Sequence, residues 1–148
     1  ILGKEFILKI PGETSLPGWR VATTILNPSV IKEKSDGADA PWETTTPLPF
    51  DNFAAYFDLD KVGNKVTVRR RQAGDRFQPL GMSQPKKLGE FMIDAKIPRA
   101  WRQRIPIVSA PQHILWVAGW RIDDRVKVTE TTRQVLCLQF ERTPGAVG

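Results

Sequence analysis

The chain has 148 residues, 41% hydrophobic and 26% charged, with a formal net charge of +6. This is the length of one domain and the make-up of an ordinary globular one, which excludes fibrous and low-complexity classes. Its one cysteine excludes an internal disulfide and fits a reducing, cytoplasmic setting, and no stretch approaches the roughly 20 apolar residues of a membrane helix.

The first sixty residues read as β. Phe6, Leu8 and Ile10 recur at every second position, the period of a half-buried strand, until Pro11-Gly12 ends the run. Trp19–Leu26 predicts a second strand with Trp19, Val21, Thr23 and Ile25 on one face. Lys32–Phe50 mixes charge, Gly, Thr and Pro without a period and reads as a long loop. Asn52–Leu59 is a third strand. The chain begins at Ile1 rather than Met, as expected of a piece cut from something longer.

Beyond residue 60, Lys65–Arg71 reads as a strand leading into three arginines, followed by a glycine-containing turn, GDRFQPLG. Leu88, Phe91, Met92 and Ala95 then fall at i, i+3, i+4 and i+7, which predicts a helix with one apolar stripe. Ser83 is its expected N-cap and Pro85 fits its first turn. Pro98 ends that helix and starts a short second one, Pro98–Arg104, closed by Pro106. The rest is β again: Ile105–Val108, the apolar run Ile114–Ala118, Arg125–Thr129 and Thr132–Phe140. Cys137 lies in the last run, VLCLQF, and reads as a small buried hydrophobe. The pattern is strands around a central helical insert, so the class is α+β.

Charge is distributed unevenly. Residues 65–104 hold 11 Lys/Arg and three acids, a net +8, so the rest of the chain sums to −2. The first sixty residues carry five basic and nine acidic side chains and are not expected to face a polyanion. An excess this local points to a polyanion site, and phosphate backbones are the commonest target. Lys86 and Lys87 are expected in the first turn of the helix, where free N–H groups and two ammoniums would cradle phosphate. The competing reading is two solvated surface lysines. On a strand Arg69 and Arg71 share one face and Arg70 takes the other, so all three cannot serve one flat surface unless the strand ends at Arg70; the competing reading is an edge strand blunted by charge. Arg99 and Arg102 share a face of the second helix with Arg104 nearby. Trp101 among them could stack on bases but reads rather as core, as do Trp116 and Trp120. Arg76 and Lys96 complete the set.

Catalytic equipment is missing from the sequence. His113 is alone, and without a Cys cluster a zinc site lacks ligands. Asp123-Asp124 read as turn residues before a strand, and Asp94 as a helix surface charge or ion pair. There is no G-x-x-x-x-G-K-[ST], G-x-G-x-x-G, H-E-x-x-H or G-x-S-x-G. No catalytic or metal-binding residue is assigned.

Residues 68–132 resemble the C-terminal domain of bacterial tRNA(Ile)-lysidine synthetase. The matching blocks are R-x-R-x-x-G-D-R-F-x-P-L-G-M, K-K-L-x-x-F-x-I-D-A-K-I-P-R, R-x-R-I-P and I-L-W-V-x-G-x-R-I-D-x-R-x-K-V-T, in that order. Before the two lysines, MSQPKK departs from the more usual glycine-containing loop. Residues 1–60 carry no matching block and fit by position, as a β-rich acidic lead-in to the basic half, 61–148.

The resemblance implies one C-terminal RNA-binding domain over 1–148. Its implied fold is similar to a domain of the phenylalanyl-tRNA synthetase β-subunit, with layered, sandwich-like sheets. It implies a parent enzyme that uses ATP, with Mg, to adenylate the wobble cytidine of an isoleucine tRNA before lysine displaces AMP. That chemistry depends on a Ser-Gly-Gly-x-Asp-Ser loop in an N-terminal domain, absent here, so this piece is expected to need no cofactor. The implied partners are the isoleucine tRNA, at its acceptor stem, and the catalytic domain of the same chain; a homodimer is left open. Arg69, Arg71, Arg76, Lys86, Lys87, Lys96, Arg99, Arg102 and Arg104 are the expected RNA contacts. The alternative is a structural or oligomerisation module whose basic segment is only a solvated face.

Overall fold

In the computed structural model, residues 5–29 and 52–143 are described. The loop expected over Lys32–Phe50 lies outside them. In chain order the elements are β1 (Phe6–Ile7), β2 (Gly12–Leu16), β3 (Trp19–Leu26), β4 (Asn52–Asp58), α1 (Leu59–Val62), β5 (Thr67–Arg69), β6 (Arg76–Phe77), β7 (Lys86–Lys87), α2 (Leu88–Asp94), α3 (Arg99–Arg102), β8 (Ile107–Ser109), β9 (Ile114–Val117), β10 (Arg121–Ile122), a 3-10 turn (Asp124–Val126) and β11 (Val135–Arg142).

The strands form a four-stranded antiparallel sheet, β2-β3-β11-β4, a five-stranded one, β1-β5-β8-β9-β10, and a ribbon, β6-β7. β11 lies between β3 and β4, with Val135 opposite Leu26 on one side and Asp58 on the other. The acidic lead-in therefore shares a sheet with the end of the described chain. Its register follows from the alternation seen in sequence, because Val21 and Thr23 are buried on one face of β3 while Arg20 and Thr24 are exposed on the other.

The two large sheets pack face to face. Val21, Phe53, Phe57, Leu136, Leu138 and Phe140 from the first meet Val68, Val108 and Trp116 from the second, with Val66 just before β5 in the same core. Trp116 is fully buried at the centre, edge-on to Phe53 at 5.8 Å, Phe57 at 5.9 Å and Phe140 at 5.4 Å between centroids. Such pairs add about 0.5–1.5 kcal/mol each beyond the area they bury.

A second core lies on the outer face of the five-stranded sheet. Leu88, Phe91 and Met92 of α2 pack with Phe77, Ile97, Ile105, Ile107, Ile114 and Val117. β9 is thus buried on both faces, which explains why its sequence is apolar throughout. The order is sheet, sheet, helical layer, and the helical insert lies where the sequence places it.

The structure departs from expectation after β9. The stretch Arg125–Thr129 is not a strand; a 3-10 turn occupies its start, and β10 instead pairs back on β9 with Arg121 opposite Val117. The hairpin between them turns at Gly119, whose φ of 87° lies in the left-handed region that favours glycine.

Candidate nucleic-acid interface

The helical layer carries the basic segment, and its first turn differs from the sequence expectation. Lys86 and Lys87 are in β7, with Arg76 opposite Lys87 and Phe77 opposite Lys86. Helix α2 begins at Leu88; Lys87 is its N-cap, and no side chain caps the end. Ser83 is therefore not the cap. Phe77 and Leu88 are both fully buried, and the ribbon that brings Phe77 under the helix consumes the residues that would have lengthened it. The Leu88 N–H donates to the Asp75 carbonyl at 2.9 Å. Lys86 forms an ion pair with Asp94, at the other end of the helix. The cradle of free helix N–H groups and two open lysines is accordingly not formed.

The cations sort by what they touch. Arg69 holds Asp75 through two bonds, at 3.0 and 3.1 Å, and its side chain is only 12% exposed. Because β5 ends at Arg69, Arg71 does not share its face. Arg71 lies over the first turn of α2 instead. Its Nη1 is 3.4 Å from the Met92 sulfur, and its Nη2 is 3.2 Å from where a Cβ on Gly89 would stand. Arg76 and Lys87 are both exposed and directly opposite across the ribbon. Like charges so placed repel.

A second group closes the other end of α2. The Lys96 N–H donates to the Ile93 carbonyl at 3.0 Å and the Ile97 N–H to the Met92 carbonyl at 3.0 Å, the paired bonds of a Schellman stop. Lys96 itself takes a φ of 59°, a left-handed position where glycine is the usual choice. Arg102 Nε donates to the Ile97 carbonyl at 3.0 Å, binding α3 to that turn. Arg99 and Arg104 are exposed. The two groups, Arg71/Arg76/Lys87 and Lys96/Arg99/Arg102/Arg104, stand at either end of a seven-residue helix, about 10 Å long.

Trp101 is the residue the sequence misplaced. Ile97 and Ile105, four residues to either side, suggest an apolar stripe that includes it. But α3 ends after one turn, both isoleucines enter the core from non-helical backbone, and Trp101 stays 40% exposed.

Two acids are structural. Asp123 is wholly buried and accepts from the Gln78 N–H at 2.9 Å and the Arg125 N–H at 2.8 Å, with the Arg125 guanidinium at 2.9 and 2.8 Å. Asp124 accepts from the Gly81 N–H at 3.0 Å and Lys127 at 3.1 Å. Burial pushes the Asp124 carboxyl up, but those two bonds and the Lys127 and Lys61 charges outweigh it and hold it below its ordinary value. The bond to Asp123 raises the Arg125 guanidinium. These acids are therefore not simple turn residues: they clasp the GDRFQPLG loop. Among the described residues, no group of three or more His, Cys, Asp and Glu could hold a metal ion, and no helix is long and apolar enough to cross a membrane.

Residues 66–138 match the TilS substrate C-terminal domain family. The tRNA(Ile)-lysidine synthase of Dehalococcoides mccartyi (strain CBDB1) is 46% identical over 136 residues, 92% of this chain and 26% of that protein. The enzyme of the same description from Caldanaerobacter subterraneus subsp. tengcongensis is 35% identical over 137 residues, again 92% and 26%. The chain thus spans about a quarter of the length of these relatives. A crystal structure of a TilS C-terminal domain matches with a TM-score of 0.63 and 25% identity, covering 96% of this chain and 100% of that one. An N-terminal fragment of the phenylalanyl-tRNA synthetase β-subunit from Pyrococcus horikoshii shares the fold, with a TM-score of 0.55 and 18% identity over 66% of this chain and 30% of that one.

Proposed function

The chain belongs to the TilS substrate C-terminal domain family, and from that membership we propose that it is a tRNA-binding domain, a single unit over residues 1–148, serving a cytoplasmic tRNA(Ile)-lysidine synthase. The reaction, conversion of a wobble cytidine to lysidine with ATP and Mg, would be carried out by a catalytic domain elsewhere in the same protein. This chain has no phosphate-binding loop for ATP, so its residues contribute binding and not bond making. The RNA is an isoleucine tRNA, met at its acceptor stem.

One observation carries this reading: Arg76 and Lys87 face each other across a two-residue ribbon with both side chains exposed. A fold gains nothing from opposing like charges, whereas a phosphate placed between them would relieve the repulsion. Arg71 beside α2 and Lys96, Arg99, Arg102 and Arg104 beyond it extend the positive surface. Arg69 and Lys86, although in the basic segment, are spent on Asp75 and Asp94, and serve as supports of the surface.

The test is tRNA binding by this chain as a function of salt. Each neutralised phosphate adds about 0.9 to the log–log slope on a duplex. Arg76→Ala/Lys87→Ala should weaken binding and flatten the slope by up to about two, and leave the fold intact. Arg133→Ala, whose partner is Asp60 at 2.9 Å, is the control. Unchanged binding by the double variant at every salt concentration would return the segment to a solvated face of a structural module.

A further inference from the structure

We infer that Gly89 is a positioning residue for Arg71: its bare backbone is the seat on which the Arg71 guanidinium lies, ordered in advance, to meet a backbone phosphate of the bound RNA. This step rests on the tRNA-binding reading above. Gly89 stands in the first turn of α2, where alanine would favour the helix more. A Cβ there would stand 3.2 Å from Arg71 Nη2. Among the described residues it would come within 4 Å of nothing else outside its own helix and chain neighbours. The glycine therefore leaves room for one group, the Arg71 fork.

The backbone that carries Arg71 is held on both sides. The Arg70 carbonyl accepts from Arg69 Nη1 at 2.9 Å, and the Gln72 N–H donates to Asp75 Oδ2 at 2.7 Å. The Asp75 carbonyl accepts the Leu88 N–H at 2.9 Å, which ties this turn to the start of α2. Asp75 is also the acid nearest to Arg71 along the chain, and its carboxylate is bound twice by Arg69. Among the described residues Arg71 forms no ion pair; its acceptor is the Met92 sulfur, 3.4 Å from Nη1. A thioether is a weak acceptor, and a guanidinium has five N–H donors to place. The group is thus fixed in position with most of its donors open. Arg76 and Lys87 are exposed, and a ligand has to order them on binding. A seated arginine has less freedom to lose, and its parallel N–H groups match two oxygens of one phosphate. A lysine would carry the charge without the plane or the fork.

The experiment titrates this chain with an isoleucine tRNA transcript over a range of salt concentrations, with melting temperatures taken alongside. Arg71→Ala should weaken binding about tenfold and lower the salt slope by about 0.9. Gly89→Leu, which fills the seat and leaves Arg71 in the chain, should lose as much. The double variant Arg71→Ala/Gly89→Leu should be no weaker than Arg71→Ala alone, since both changes remove one contact. Arg71→Lys should lose most of the affinity although the charge is kept. Parent-like binding by Gly89→Leu, by Arg71→Ala or by Arg71→Lys overturns the seat and leaves salt-dependent RNA binding standing. Losses that multiply in the double variant overturn it as well. A parent that binds no tRNA at any salt concentration overturns the RNA reading and the seat with it. Should Gly89→Leu melt far below the parent, Gly89→Ala takes its place: it should weaken binding in the parent and leave Arg71→Ala unchanged, and any other result overturns the proposal.

Discussion

Asp123 and Gln78 are 45 residues apart in the chain, yet the buried Asp123 carboxylate accepts the Gln78 N–H at 2.9 Å. The same carboxylate takes the Arg125 guanidinium, and the Asp124 N–H returns a bond to the Gln78 carbonyl at 2.7 Å. The Leu80 N–H donates to Ile122 at 3.0 Å beside it. Two distant stretches, GDRFQPLG and RIDDR, are therefore one structural unit. It sets the ribbon on which Arg76 stands.

Asp123→Ala should destabilise the chain by roughly 2 kcal/mol or more, because buried donors then lack their acceptor. Asp94→Ala, which breaks an ion pair whose acid is 60% exposed, should cost less than about 1 kcal/mol. Denaturant midpoints check both. Equal costs would mean that the Asp123 contacts are not made in solution.

Lys96 occupies a left-handed position that penalises any side chain. Lys96→Gly should stabilise the fold by up to about 1 kcal/mol. It should also weaken RNA binding and lower the salt slope by about one. A gain in stability with undiminished binding would show that this ammonium does not meet phosphate.

Phe91 is 7% exposed and meets Phe77 edge-on at 4.9 Å, so Phe91→Ala should cost about 3–5 kcal/mol. Chemical denaturation measures it. A cost below about 1 kcal/mol would mean that the helical layer is not packed on the sheet.

His113 supplies a pH dependence. Burial first, then the Arg125 charge, lowers its pKa below 6.5, opposed by Asp123. The unfolded chain then binds a proton that the folded chain refuses, so stability is full above 6.5 and falls as pH drops from there through the folded value. Melting temperature should decline over that window in the parent. His113→Gln should remove that part of the decline, and an identical profile in the variant would exclude the imidazole as its source.

Much of this was determined by sequence alone, wherever the signal is local. The 3.6-residue period of Leu88, Phe91 and Met92 marks the face of α2, and all three are buried. The unbroken run in β9 marks a strand covered on both sides. The alternation in β3 marks its inner face. The concentration of positive charge in residues 65–104 needs only counting. The four sequence blocks likewise point to the family that the comparisons found.

What only the tertiary structure decided depends on partners far away in the chain or on where an element stops. The start of α2 is set by Phe77 pairing across to Lys86, a contact that helix propensity does not contain. Which cations remain for a ligand is set by acids that folding brings up, Asp75 for Arg69 and Asp94 for Lys86. Asp123 reads as a turn residue until a loop from 45 residues earlier closes over it. Trp101 reads as core packing, but its helix stops after four residues and the ring stays 40% exposed. Periodicity reports the face of an element; it does not report the element's length or what is placed against it.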